Sequence, residues 1–135
     1  MSRIIPAVLG LLFLVQAALP GNVDARPRDR WRLLGQTTVS DRVDHDVLPV
    51  TGTRGTFRSL KLEVLDHAVQ FRNVKIHFGD GEVQEVEVRD VIPAGGETRI
   101  IDIEGRERVV RSVEFVYDAQ TLLGKRARVR VYGRT

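Results

Sequence analysis

The sequence predicts an all-β fold: an antiparallel β-sandwich, jelly-roll-like or barrel-like, of about eight short strands. Three observations carry this prediction. Apolar and polar residues alternate over short runs, the period of a half-buried strand. Glycine-containing turns separate these runs at intervals of roughly 8–12 residues, as is typical of sandwiches and barrels. No run after the amino-terminal segment shows a convincing helical pattern.

Four strands are predicted in the first half of the domain. They are residues 31–39, 44–50, 57–64 and 69–78. In the first of them, alternation places Trp31, Leu33, Gly35, Thr37 and Val39 on one face. A turn over residues 51–55, with two glycines, follows the second strand.

The fourth run changes phase in its middle. Val69 and Phe71 occupy odd positions, whereas Val74 and Ile76 occupy even ones. Because a one-residue slip turns every side chain to the other face of a sheet, a β-bulge near residues 72–73 is the simplest explanation.

The second half of the domain repeats the strand-and-turn pattern. Val113, Phe115 and Tyr117 share one face of the strongest predicted strand. The predicted strands are residues 82–88, 99–103, 109–117 and 127–131, separated by turns or loops at 79–81, 93–97, 105 and 119–124.

The amino terminus has the pattern of a secretory signal peptide. Arg3 precedes an apolar run over residues 4–19, and Val23 and Ala25 then stand two apart, as signal peptidase requires. Cleavage is predicted after Ala25, with an earlier cut after Ala17 as an alternative. Retention as a membrane anchor is the competing interpretation, but the run is shorter than the roughly 20 residues of a span.

Cleavage defines the predicted organisation of the chain. Residues 1–25 are the signal peptide, residues 26–30 a charged lead-in, and residues 31–135 a single domain. The mature protein is therefore expected in the periplasm or outside the cell, with no membrane span after signal removal. Its partner is predicted to be an unknown envelope protein or polysaccharide.

Composition excludes several classes of function. The net charge of +3 is too small for a nucleic-acid-binding footprint, so no nucleic-acid partner is expected. Cysteine is absent, which removes disulfides, thiol catalysis and zinc–thiolate sites from consideration. The serines and the three histidines match no hydrolase or metalloprotease spacing, so we predict no catalytic residue and no enzyme activity.

The order of the segments resembles a known family. The features that carry the resemblance are Leu33-Leu34-Gly35, Asp44-His45-Asp46-Val47, Phe57-Arg58-Ser59-Leu60-Lys61-Leu62, Val74-Lys75-Ile76-His77-Phe78, Gly96-Glu97-Thr98 before Ile101-Asp102-Ile103, and residues 108–117 and 127–133. Together they are similar to the YaaI-like group of small exported bacterial proteins, a domain of unknown function. The resemblance implies a compact exported β-sandwich and brings no established catalytic residues.

An acidic segment is the first candidate site. Asp44 and Asp46 fall two apart on a predicted strand, Asp41 lies in the preceding turn, and His45 stands between the two strand acids. Carboxylate oxygens suit a hard cation, so a calcium site on Asp41, Asp44 and Asp46 is one hypothesis, and a carbohydrate site on the same segment is another. The alternative is structural: these acids pair with arginines or cap turn amides, and no cofactor is bound.

A basic row on the last strand is the second candidate site. Arg126, Arg128 and Arg130 alternate with the apolar residues of that strand and could bind an anionic envelope polymer through bidentate contacts. The alternative is a solvated outer face on which the arginines pair with acids of neighbouring strands. The acids considered for that pairing are Glu82, Glu85, Glu87 and Glu114.

Aromatic side chains form the third constellation. Most fall on the apolar phase of their strands, which predicts core packing rather than a sugar-binding platform. Trp31 and Tyr132 are the exceptions, near the ends of the domain.

Overall fold

The computed structural model describes residues 30–50 and 55–135. The predicted signal peptide, and the lead-in apart from Arg30, lie outside the described residues, and both stay predictions. The strands are β1 (Arg32–Val39), β2 (His45–Pro49), β3 (Ser59–Leu65), β4 (Val69–Phe78), β5 (Val83–Ile92), β6 (Ile101–Asp102), β7 (Val110–Tyr117) and β8 (Ala127–Arg134).

The strands form two four-stranded antiparallel sheets. Their orders are β1-β8-β3-β6 and β2-β7-β4-β5. The predicted all-β architecture of eight strands is therefore confirmed, and two sheets of this kind are consistent with a sandwich.

The core lies between the two sheets because alternation turns one face of each strand inward. The alternating positions of β3, β7 and β8 are buried as predicted. Phe71 and Phe115 meet edge to face with ring centroids 6.0 Å apart, a favourable aromatic geometry. The buried aromatic residues are Phe57, Phe71, Phe78, Phe115 and Tyr117, which confirms the predicted core packing of these side chains.

Among the described residues, β-bulges change the phase of β1 and of β4. The predicted bulge in β4 is confirmed, because the register shifts between Phe71 and Asn73 against both neighbouring strands. A second register shift, between Leu33 and Gly35 of β1, was not predicted. It buries Leu34 and leaves Leu33 51% exposed, so the prediction that Leu33 shares a face with the buried Val39 is wrong.

Two predicted segments differ from the structure in their regular elements. The predicted strand over residues 99–103 reduces to β6, although Ile101 and Ile103 are both buried. The predicted loop over residues 119–124 contains a 3-10 turn, Ala119–Leu122. Asp118 caps this turn, since its carboxylate accepts a hydrogen bond from the N–H of Gln120.

Side chains close one seam between the sheets. The buried Gln84 of β5 donates from Nε2 to the carbonyl of Asp102 at 3.0 Å and accepts at Oε1 from the N–H of Glu104 at 2.9 Å. The side-chain amide of Gln84 thus makes the two hydrogen bonds that a backbone peptide group would make. It joins β5, the edge strand of one sheet, to the segment at β6, the edge strand of the other. On the opposite seam Gly35 of β1 lies against Leu48 of β2. A Cβ at position 35 would stand 2.9 Å from Cδ2 of Leu48, which is too close for a larger residue.

Candidate functional site

A cleft lies at the end of the sandwich where β1 passes into β2 and β7 passes into the 3-10 turn. Its volume is about 560 Å³. We call it the turn cleft. It is lined by Asp41, Arg42, Val43, Asp44, His45, Arg72, Val116, Tyr117, Asp118, Ala119 and Gln120.

A buried tyrosine fixes the base of the turn cleft. The Tyr117 hydroxyl donates to Oδ2 of Asp46 at 2.8 Å, and the N–H of Tyr117 donates to the carbonyl of Asp44 at 2.9 Å. Burial, together with the hydrogen bond and the negative charge of Asp46, raises the pKa of Tyr117, while the backbone of Ser40 acts in the opposite direction. These bonds hold the turn between β1 and β2 against the end of β7.

The raised pKa of Tyr117 makes stability depend on alkaline pH. In the folded protein Tyr117 keeps its proton above pH 10.0, where the phenol of the unfolded chain ionises. This contribution is therefore complete below pH 10.0 and is lost as the pH rises above it, at up to about 1.4 kcal/mol per pH unit. Urea unfolding should show a shallower alkaline decline for Tyr117→Phe than for wild type. Equal slopes for Tyr117→Phe and wild type would contradict this assignment.

The three predicted acidic residues point to different surroundings. Asp46 is bound to Tyr117, whereas the Asp44 side chain is 77% exposed and lies 3.4 Å from Nδ1 of His45. Asp41 approaches the loop after β7, with Oδ2 4.0 Å from where a Cβ on Gly124 would stand. Within residues 30–50 and 55–135, no group of three or more His, Asp or Glu side chains is placed to hold a metal ion. A calcium site here stays a prediction that requires these side chains to move.

Exposed charges surround the mouth of the turn cleft. The Arg72 side chain is 66% exposed, and its nearest acid is Asp118, at 3.9 Å between Nη2 and Oδ2. Asp118 already caps the 3-10 turn, so Arg72 is only loosely held. A neighbouring cavity of about 520 Å³ shares Arg72 and Val116 and adds Asn73, Glu87 and Arg89 to the polar surface.

The basic row of β8 is engaged in internal pairs. Arg128 forms two hydrogen bonds to the carboxylate of Asp66, at 2.7 and 3.0 Å. This pairing lowers the pKa of Asp66 and raises the pKa of Arg128. Arg130 donates to Gln36 at 2.8 Å and lies 3.6 Å from Glu63.

The acidic partners predicted for the basic row are wrong. Because β8 lies between β1 and β3, its arginines meet residues of those strands and of the turn after β3. The acids named for this pairing lie in or beside the strands of the other sheet; they are Glu82, Glu85, Glu87 and Glu114. Arg126 precedes β8 and is exposed.

The two aromatic exceptions pack against charged side chains. The ring of Trp31 lies 4.6 Å from Nζ of Lys61 and 4.6 Å from Cζ of Arg134, a cation–π arrangement. The Tyr132 hydroxyl donates to Glu63 at 3.0 Å. Both aromatic side chains therefore pack against neighbouring charged side chains.

Three residues that line the turn cleft were not among the predicted site residues. Arg72, Tyr117 and Asp118 line the turn cleft beside the predicted Asp41 and Asp44. The phase change in β4 was the available signal for Arg72, since a bulge commonly redirects the side chains around it.

The family model of DUF2541, a domain of unknown function, matches residues 7–133, and the chain belongs to this family. No curated protein matches. The name YaaI-like stays a prediction.

A solved structure shares the fold at low sequence identity. It was determined in work described as the structural and functional characterization of Pseudomonas aeruginosa AlgX. The match has a TM-score of 0.51 and 12% identity, and it covers 78% of this chain and 27% of that one. This chain therefore spans about a quarter of the length of AlgX, and the likeness concerns the fold alone. No helix in the described part of this chain is long and apolar enough to cross a membrane.

Proposed function

We propose that the protein is an exported, non-catalytic β-sandwich that binds an envelope or extracellular partner in the turn cleft. The observation that carries the proposal is the contrast between two charged surfaces. Arg128 and Arg130 of β8 are used in internal pairs, whereas Arg72 and Asp44 at the cleft are exposed and loosely held. Charged groups without strong internal partners are the ones that can bind a ligand at little cost.

The composition of the cleft favours a neutral, hydroxyl-rich ligand such as an uncharged polysaccharide. Three acids and two arginines line it, so the cleft attracts neither a strongly anionic nor a strongly cationic polymer. Carboxylates accept hydrogen bonds from hydroxyls, and guanidinium groups donate to them. Val43 and Val116 supply apolar contact beside these groups, the usual mixture in a ligand site.

Non-catalytic binding is supported by the positions of the histidines. His45 lies beside the exposed Asp44, His67 contacts the carbonyl of Ala68, and His77 contacts Glu114. None of these three pairs includes a serine or threonine hydroxyl, so none of them forms the Ser–His arrangement of a serine hydrolase.

Affinity measurements with neutral glucan oligosaccharides test the proposal. We expect calorimetric titration of the domain to detect binding, and Arg72→Ala to weaken it by roughly tenfold, or about 1.4 kcal/mol. Arg58→Ala is the matched control, because Arg58 is an exposed arginine at the start of β3, away from the cleft. Equal affinities of Arg72→Ala and wild type, or binding to acidic oligosaccharides only, would contradict the proposal.

Calcium is the second candidate ligand of the same cleft, favoured by the position of Asp41 and Asp44 in its lining. A thermal melt with millimolar calcium separates the two candidates, because a ligand that binds the folded state raises the melting temperature. A shift of several degrees that is lost in Asp44→Asn would support calcium, whereas an unchanged melt favours the carbohydrate.

A further inference from the structure

The outer edge of β5 has free backbone hydrogen-bonding groups. In the described part of the chain, β5 is the last strand of its sheet and pairs only with β4. The N–H of Phe78 bonds to the carbonyl of Glu82, and the register continues without a shift from His77–Val83 to Asn73–Glu87. Because bonding directions alternate along an antiparallel pair, residues 84 and 86 bond to β4, whereas residues 83, 85 and 87 face the open edge.

One contact confirms this assignment of directions. The carbonyl of Glu87 accepts a hydrogen bond from Nη2 of Arg99 at 2.8 Å, so it does point away from β4. Among the described residues, no backbone hydrogen bond beyond the strand pairings involves the N–H or C=O groups of Val83 and Glu85 or the N–H of Glu87. These five groups form an open stretch that can pair with an added strand.

The side chains along this stretch are acidic. Glu85 and Glu87 are exposed on the outer face beside Val83, which is 51% exposed. Their internal contacts are exposed to solvent: Glu85 accepts from Asn73, and Glu87 lies 3.4 Å from Nε of Arg89. A second copy of β5 pairing antiparallel would bring like charges together, which is destabilising.

We propose that the edge of β5 is a docking site for an extended basic segment of a partner protein, which adds a strand to the sheet. The backbone groups of Val83, Glu85 and Glu87 supply the hydrogen bonds of strand addition, and Glu85 and Glu87 select alternating Lys or Arg side chains. The site is separate from the turn cleft and does not depend on the function proposed for it.

A designed peptide tests the docking site on the whole domain. The probe is a peptide of about eight residues that alternates lysine with valine and threonine, and the reference peptide carries glutamate in place of lysine. We expect fluorescence anisotropy to show binding of the lysine peptide only. We also expect the amide protons of Val83, Glu85 and Glu87 to exchange more slowly in its presence, because strand addition protects them.

Variants separate strand pairing from simple charge attraction. Glu85→Pro removes an edge N–H without breaking a bond to β4, and Glu85→Lys reverses the charge; each should weaken peptide binding by at least tenfold. Glu107→Lys makes the same charge change in the turn before β7 and should leave binding unchanged. Full binding by Glu85→Pro, no binding by wild type, or unchanged edge exchange in the wild-type complex would overturn the proposal. The last measurement decides the matter even if Glu85→Pro does not fold.

Discussion

Phe115→Ala is expected to lower the free energy of unfolding by about 3–5 kcal/mol. Phe115 is completely buried in β7, meets Phe71 edge to face and lies 6.3 Å from the ring of Tyr117. Truncation removes the transfer free energy of the ring and leaves a cavity between two sheets that cannot collapse freely. Since domains of this size are stable by roughly 5–15 kcal/mol, this loss is a large fraction of the total stability.

Equilibrium urea unfolding measures this loss directly. Val47→Ala is the matched control, because Val47 lies on β2, next to β7, and is 52% exposed. It should change the free energy of unfolding by no more than about 0.5 kcal/mol. A loss below about 1.5 kcal/mol for Phe115→Ala would mean that the two sheets do not pack as described.

Gly133→Ala is expected to destabilise the domain by about 1–3 kcal/mol through overpacking. A Cβ on Gly133 would stand 2.8 Å from Cδ1 of Phe57 and 2.9 Å from Cδ1 of Leu34. Both neighbours are buried, and β8 is flanked by strands on both sides, so neither side chain nor strand can move away easily.

Gly79→Ala provides the comparison for Gly133→Ala. Its Cβ would meet Cγ1 of Val109 at 3.2 Å, but Val109 is 54% exposed and can shift toward solvent. Thermal unfolding of the two variants should therefore separate them clearly. A Gly133→Ala protein as stable as Gly79→Ala would contradict the close approach of β8 to Phe57.

Alternation in the sequence predicted the inward faces well wherever a strand is regular. Leu60, Leu62 and Val64 of β3 are buried as their period of two indicates. The bulge in β1 escaped prediction because two consecutive leucines, Leu33 and Leu34, satisfy either phase.

Contacts between residues far apart in the sequence depend on the order of the strands in the sheets, which the sequence did not predict. Arg128 pairs with Asp66 because β8 lies beside β3, and nothing in the separate strands specifies that neighbour. For the same reason, only some of the residues that line the turn cleft were predicted. Asp41 and Asp44 stand in one segment, whereas Arg72 and Asp118 reach the cleft from other parts of the chain.

Mapping a bound glucan on the wild-type domain shows directly whether the turn cleft is the binding site. Nuclear magnetic resonance of the labelled protein, titrated with a neutral glucan oligosaccharide, reports which backbone amides sense the ligand. If the turn cleft binds the glucan, the largest shift changes are expected in residues 41–45, at Arg72 and in residues 116–120, with β8 unaffected. Shift changes centred on Arg126, Arg128 and Arg130, or no shift changes with any neutral glucan, would contradict it.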